Sequence, residues 1–203
     1  MTGGSHPTRP LRVVHSGVRG EAQDQLSVLK LVTGRLDAAR IAYMITGSIA
    51  GGHYGRPRMT RDIDIVVELG PADAGRLAAT LGDEFSVDPE TIRGAIARQS
   101  LFNAIHRDAI VKVDFVVRQD TPYRIEEFGR RQLVDIDGHR LWMVAPEDLI
   151  LSKLLWARDS RSELQLRDVR DLLAFQGGRL DRVYLDRWAA SLSVQSLLQE
   201  VES

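Results

Sequence analysis

No cysteine occurs in this chain of 203 residues. A disulfide framework, a thiol nucleophile and Cys-ligated zinc or iron–sulfur centres are therefore excluded. Lysine is nearly as scarce: Lys30, Lys112 and Lys153 stand against 24 arginines. The arginine excess reads as compositional, and it makes the position of each lysine informative. Neither charge sign is in surplus. A net charge of -1 argues against a protein that coats nucleic acid by bulk attraction, so any anionic partner must meet a local patch. Long apolar runs are missing as well. The most apolar stretches, residues 41–52 and 149–157, are short and carry polar side chains, too little for a membrane span. No apolar signal core opens the chain, so the expected location is cytoplasmic. The five histidines are scattered without metal-ligand spacing, and no GxSxG, HExxH or Walker A pattern occurs.

What is present suits a globular protein. With 43% apolar residues a real core is possible, and the length fits one domain, or one domain with an appendage. Residues 1–20 mix Gly, Ser, Pro, His and Arg without periodicity and read as a flexible tail. The spacing of Leu26, Leu29, Val32 and Leu36 marks a helix over residues 21–39. Strands are expected at 41–46, 62–69, 101–106, 110–117, 133–136 and 141–144, the last two joined by an Asp137-Gly138 hairpin turn. A short small-residue helix follows Gly47-Ser48, and further helices are expected at 71–81, 89–98 and 125–131. Beyond Pro146 the pattern is purely helical, at 146–158, 163–175, 181–190 and 194–201. The expectation is an α/β (α+β) fold, with a mixed sheet and flanking helices at residues 21–145 and a C-terminal helical part at 146–203.

One segment carries chemistry. Thr46-Gly47-Ser48 is followed, after thirteen residues, by Asp62-Ile63-Asp64-Ile65. Strand side chains alternate, so Asp62 and Asp64 share a face about 7 Å apart. Two such carboxylates repel and raise a pKa unless a cation joins them, and a hard ion such as Mg²⁺ suits oxygen ligands. Asp114, inside the run Val111-Lys112-Val113-Asp114-Phe115-Val116-Val117, is a candidate third ligand on an adjacent strand; an Asp there is unfavourable by propensity and needs a local reason. Lys112, two residues earlier, borders the same strand face. Gly47-Ser48, between a strand and a helix, is suited to phosphate: backbone amides can approach, the helix terminus favours anions, and the hydroxyl donates. Arg56, Arg58 and Arg61 form a positive loop between this cradle and the carboxylates. On the later helices, Lys153 and Asp168 border the apolar faces, where a charge needs a partner or a cavity.

Gly47-Ser48, the spacer, Asp62-Ile63-Asp64 and the later Asp114 together resemble the active-site pattern of the DNA polymerase β-type nucleotidyltransferase superfamily. More narrowly, Met59-Thr60-Arg61-Asp62-Ile63-Asp64, with Ala145-Pro146-Glu147-Asp148-Leu149 and then Lys153, resembles its bacterial AbiEii/MenT-like branch, which contains toxins of toxin–antitoxin systems. The likeness spans roughly residues 40–176. It implies the nucleotidyltransferase fold. It also implies Mg²⁺-dependent transfer, with Mn²⁺ as the alternative ion, of an NMP from an NTP to an acceptor hydroxyl on tRNA, protein or a small molecule. Pyrophosphate is the other product. Asp62, Asp64 and Asp114 are then the metal-binding catalytic carboxylates, and Asp114 helps deprotonate the acceptor. Gly47, Ser48, Arg61, Lys153 and Asp168 are the implied nucleotide-binding residues, Lys153 acting in catalysis as well. An antitoxin protein is an implied partner, and no membrane is.

Plainer readings stay open. An Asp-x-Asp alone is commonly a solvated strand edge, and the three arginines suit a solvated loop. Lys153 suits a snorkelling side chain or a structural pair with Asp168 or Asp171. Asp148 reads as a first-turn helix stabiliser, and His53 as surface. Trp142, Trp156 and Trp188 read as core or helix-packing residues rather than base-stacking platforms. The functional alternatives are an antibiotic-modifying enzyme with a small-molecule acceptor, a non-catalytic nucleotide-binding protein, and a toxin–antitoxin component acting by binding alone. An aminoglycoside acceptor would need an acidic or polar pocket.

Overall fold

A computed structural model describes residues 16–58 and 60–202. Most of the expected tail, residues 1–15, and Met59 of the 59–64 motif lie outside the described residues. The first helix, α1 (Ser16–Ala38), begins earlier than residue 21, so residues 16–20 are helical rather than tail. Among the described residues seven strands form one sheet: β1 (Tyr43–Ile45), β2 (Ile63–Val67), β3 (Phe85–Ser86), β4 (Leu101–His106), β5 (Val111–Val117), β6 (Gln132–Ile136) and β7 (His139–Met143), in the order β3-β4-β5-β2-β1-β7-β6. Pairing is mixed. The β2–β5 and β1–β7 pairs are parallel, and the other four are antiparallel. The expected α/β mixed-sheet architecture is therefore observed.

Burial alternates along the central strands as a one-sided sheet requires. Ile63, Ile65 and Val67 of β2 are buried, while Asp64 and Val66 between them are only partly so. Val113 and Phe115 of β5 join the same core, together with Val32 and Leu36 of α1 and, from the helices after β2 and β3, Leu77 of α3 (Asp73–Leu81) and Ile92 of α4 (Pro89–Arg98). The opposite face of β2 and β5 carries Asp64, Lys112 and Asp114, with Val66 and Val116 beside them. The short helix α2 (Gly47–Tyr54) lies against β2.

Several boundaries moved for local reasons. Thr121 caps α5 (Pro122–Gly129) by accepting from the Arg124 backbone N–H, so this helix starts before residue 125. The edge strand β3 was not expected, because two residues carry no alternation to read. Asp137 and Gly138 adopt φ of 51° and 73°, the left-handed pair of the anticipated hairpin turn. Ile110 also has positive φ, 52°, so β5 begins one residue later than expected.

After β7 come α6 (Pro146–Ser160), α7 (Glu163–Gln176), α8 (Arg182–Ser191) and α9 (Gln195–Glu202). They pack on one another, and α6 and α7 also contact α2. Asp148 stands in the first turn of α6, as expected, and it is also fully buried. Its carboxylate accepts from Tyr184 Oη at 2.6 Å and Arg130 Nε at 3.0 Å, and the neighbouring Glu147 accepts from Arg130 at 3.0 Å. The Arg130 guanidinium also lies 3.7 Å from the Tyr184 ring centre. Burial pushes the Asp148 carboxyl up to about 6, against the lowering effect of Tyr184 and Arg130. This network joins α5's end to α6 and α8. Among the described residues no helix is long and apolar enough to cross a membrane.

Candidate active site

The parallel pairing of β2 with β5 puts Asp64 and Asp114 in register, side by side on the sheet face opposite the core. Burial raises the Asp64 pKa, the Asp114 charge raises it further, and a hydrogen bond from the Ser48 backbone N–H works against both. Asp114 is only 9% exposed, and its Oδ1 is buried without a hydrogen-bond partner. Lys112, on the same face of β5, brings Nζ to 2.8 Å from Asp114 Oδ2 and 3.5 Å from Asp62 Oδ2. The bond to Asp114 raises the Lys112 pKa. Asp62 and Asp114 thus already gather around one cation, an ammonium of the chain itself.

Among the described residues no three His, Asp or Glu side chains close around a point as a finished metal cluster. The donor chemistry nevertheless fits a hard divalent ion. Every donor is a carboxylate oxygen, Asp64 is held in mutual repulsion with Asp114, and Asp114 keeps a buried oxygen with nothing to accept from.

Gly47 is fixed by this crowding. It has φ +62°, and a Cβ there would fall 1.9 Å from Asp64 Oδ2 and 2.8 Å from Asp64 Cβ. Only glycine lets the start of α2 cross over the carboxylate. The Thr46 backbone N–H donates to the Asp64 carbonyl at 2.9 Å, tying that start to β2. Arg58 donates to Ser48 Oγ, and its Nε is 3.6 Å from Asp168. Lys153, just 5% exposed, donates to Asp168 at 2.6 Å and to Gln165 at 3.2 Å. The Lys153–Asp168 pair read from helix periodicity is therefore formed.

A cleft of about 440 Å³ collects these groups. Gly47, Ser48, Arg58, Asp62, Asp64, Asp114 and Lys153 all line it. Asp168 stands behind Lys153, in a small recess that also holds Arg56. Arg61 is exposed and outside the cleft lining. His53 is exposed, with its ring edge-to-face on Tyr54 at 4.9 Å, and is likewise outside it.

The cleft holds residues that the sequence reading did not assign to it. Glu127 lines it, accepting from Arg124 at 2.8 Å and from Ser152 at 2.7 Å. Trp156 lines it too, 64% exposed, which overturns its reading as a packing residue; Trp142 and Trp188 do pack against the core. A signal was available. At about 100° per residue, Leu149, Ser152, Lys153 and Trp156 fall on one stripe of α6, and all four line the cleft.

No protein-family model and no curated protein matches the chain in sequence. Solved structures do match in shape. The antibiotic-resistance factor ANT(2'')-Ia in solution is 14% identical, with 88% of this chain and 98% of that one aligned and a TM-score of 0.57. The same factor in complex with adenylyl-2''-tobramycin gives 18%, 85%, 98% and 0.58. An antigenic nucleotidyltransferase-like protein from Paracoccidioides brasiliensis gives 19%, 88%, 93% and 0.55. At such identities the likeness is one of fold: this chain has the nucleotidyltransferase fold.

Proposed function

We propose that this protein transfers an NMP from an NTP to an acceptor hydroxyl, with Mg²⁺ or Mn²⁺, and releases pyrophosphate. The observation that carries the reading is the register pairing of Asp64 with Asp114 beside Gly47-Ser48, in a cleft that also contains Lys153. Asp62, Asp64 and Asp114 would hold the metal, which when bound stabilises the attacking and leaving oxygens together. The rest belongs to the chain. Ser48, Arg58 and Lys153 hold the triphosphate, and Asp168 keeps Lys153 aimed. The acceptor oxygen bonds to the α-phosphorus while the bond to the bridging oxygen of pyrophosphate breaks. The acceptor proton passes toward Asp114. Lys112 holds Asp62 and Asp114 in the free protein, so its ammonium would compete with any metal that these carboxylates hold.

The resemblance of residues 59–64 and 145–153 to the AbiEii/MenT-like branch supports a toxin acting on tRNA or protein. A polycationic aminoglycoside is the less suitable acceptor. Apart from the three aspartates, the acid lining the cleft among the described residues is Glu127, and Arg124 and Ser152 already hold it.

The test compares wild type with Asp64→Asn. Pyrophosphate release with each NTP, Mg²⁺ and a cell extract should fall by orders of magnitude in a variant with an unchanged circular dichroism spectrum. Equal release by the two proteins contradicts the reading. If expression arrests growth, that arrest should vanish with Asp64→Asn; an arrest that persists supports binding alone.

A further inference from the structure

The chemistry above leaves Trp156 without a task. A tryptophan is large, apolar and on average highly buried, so one that is 64% exposed needs a reason. Its location supplies one. It lines the cleft that Ser48, Asp64 and Lys153 also line. Residues three and four apart on a helix are surface neighbours, so Lys153 and Trp156 occupy neighbouring positions of α6, one buried and one exposed. Lys153 is anchored from behind by Asp168 and Gln165. Among the described residues no aromatic ring or guanidinium stacks on Trp156. Leu149 continues the same stripe, and Leu101, 51% exposed, adds apolar surface to the lining.

We propose that Trp156 is the stacking platform for the base of the nucleotide whose phosphates meet Ser48 and Lys153. The inference rests on the nucleotidyl-transfer reading and adds a residue to it. An anion cradle alone recognises phosphate and is indifferent to what the phosphate carries. An indole one helical turn away recognises a planar ring, and through its face rather than its edge. Stacking of this kind tolerates every base, since each has a π face, so the platform secures a nucleotide without choosing among the four. Occupation also covers apolar surface that the free protein leaves in water.

The experiment measures equilibrium binding to the full-length protein with Mg²⁺, by calorimetry. The probes are α,β-non-hydrolysable ATP and GTP analogues and, as a probe without a base, inorganic tripolyphosphate. Trp156→Ala should weaken both nucleotide analogues about 5- to 150-fold, the worth of one base–aromatic stack. Trp156→Phe should restore most of the loss, and tripolyphosphate should bind wild type and both variants equally. Because Trp156 is exposed, the variants should keep the wild-type circular dichroism spectrum. In wild type the nucleotide analogues, unlike tripolyphosphate, should quench the exposed indole's fluorescence. Unchanged nucleotide affinity in Trp156→Ala overturns the inference and leaves nucleotidyl transfer standing, even if the acceptor's KM rises. Equal weakening of tripolyphosphate overturns it as well, by showing a disturbed cradle. Failure of wild type to bind either nucleotide analogue overturns both readings.

Discussion

Gly47 and Asp64 show how single residues make this site. The glycine is required twice over: its φ lies in the left-handed region, and a Cβ would collide with the Asp64 carboxylate. Gly47→Ala should therefore displace Asp64 and lower pyrophosphate release by about 100-fold, the usual cost of a misplacement near 1 Å. The comparison is of kcat in wild type and variant, with fold checked by circular dichroism; a variant retaining more than half of the activity contradicts the role given to the glycine. Both residues were legible in the sequence, because Gly-Ser after a strand and Asp-x-Asp on the next strand are local patterns. Trp156 was missed although its place on the Lys153 stripe of α6 was readable, because residue type argued for burial. The first-turn place of Asp148 was legible, but its burial was not, because the partners that bury it, Arg130 and Tyr184, lie far away in sequence.

The second scale is that of helices and strands. Asp114 was picked out by its incongruity within a β-branched run, and the parallel β2–β5 pairing then explains it by setting it beside Asp64. Beyond the Asp137-Gly138 hairpin, which strand lies next to which is a long-range matter that no local pattern encodes, so the order of the whole sheet was out of reach. The meeting of α6 and α7 was within reach, because a Lys and an Asp each flanking an apolar helix face call for a partner. Their pair is nearly dry: Lys153 is 5% exposed and Asp168 14% by side chain. Removing one member leaves a buried charge uncompensated. Asp168→Asn should thus cost about 3 kcal/mol of stability in urea titration. Saturating nucleotide should recover part of that loss, because phosphate replaces the missing carboxylate beside Lys153. A loss under about 0.5 kcal/mol would mark the pair as a solvated one.

For the molecule as a whole, the network of Glu147, Asp148, Arg130 and Tyr184 binds the sheet-side helix α5 to α6 and α8. It predicts a pH dependence of stability. The Asp148 carboxyl is raised to about 6 in the folded chain, above the ordinary value of about 4. The folded state therefore holds this proton more tightly than the unfolded one. The stability it contributes is complete below about pH 4, declines as pH rises through about 6, and is constant above that. The difference in Tm between wild type and Asp148→Asn should accordingly change across that window and stay flat from pH 7 to 8. A difference that is the same at pH 4.5 and pH 7 contradicts the shift.

The α/β class and the mixed sheet could be read from alternation and turn chemistry, while the cleft is a property of the assembled whole. It combines a helix start, two strands and a C-terminal helix, and its chemistry exists only when they meet. The claim that this meeting makes a nucleotidyltransferase is tested most directly by labelling. Wild type and Asp64→Asn are incubated in parallel with α-labelled and γ-labelled NTP, Mg²⁺ and a cell extract. Wild type should move the α-label onto an acceptor and leave the γ-label in pyrophosphate, and Asp64→Asn should do neither. Transfer of the γ-label, or α-label incorporation that is equal in the two proteins, would contradict the account.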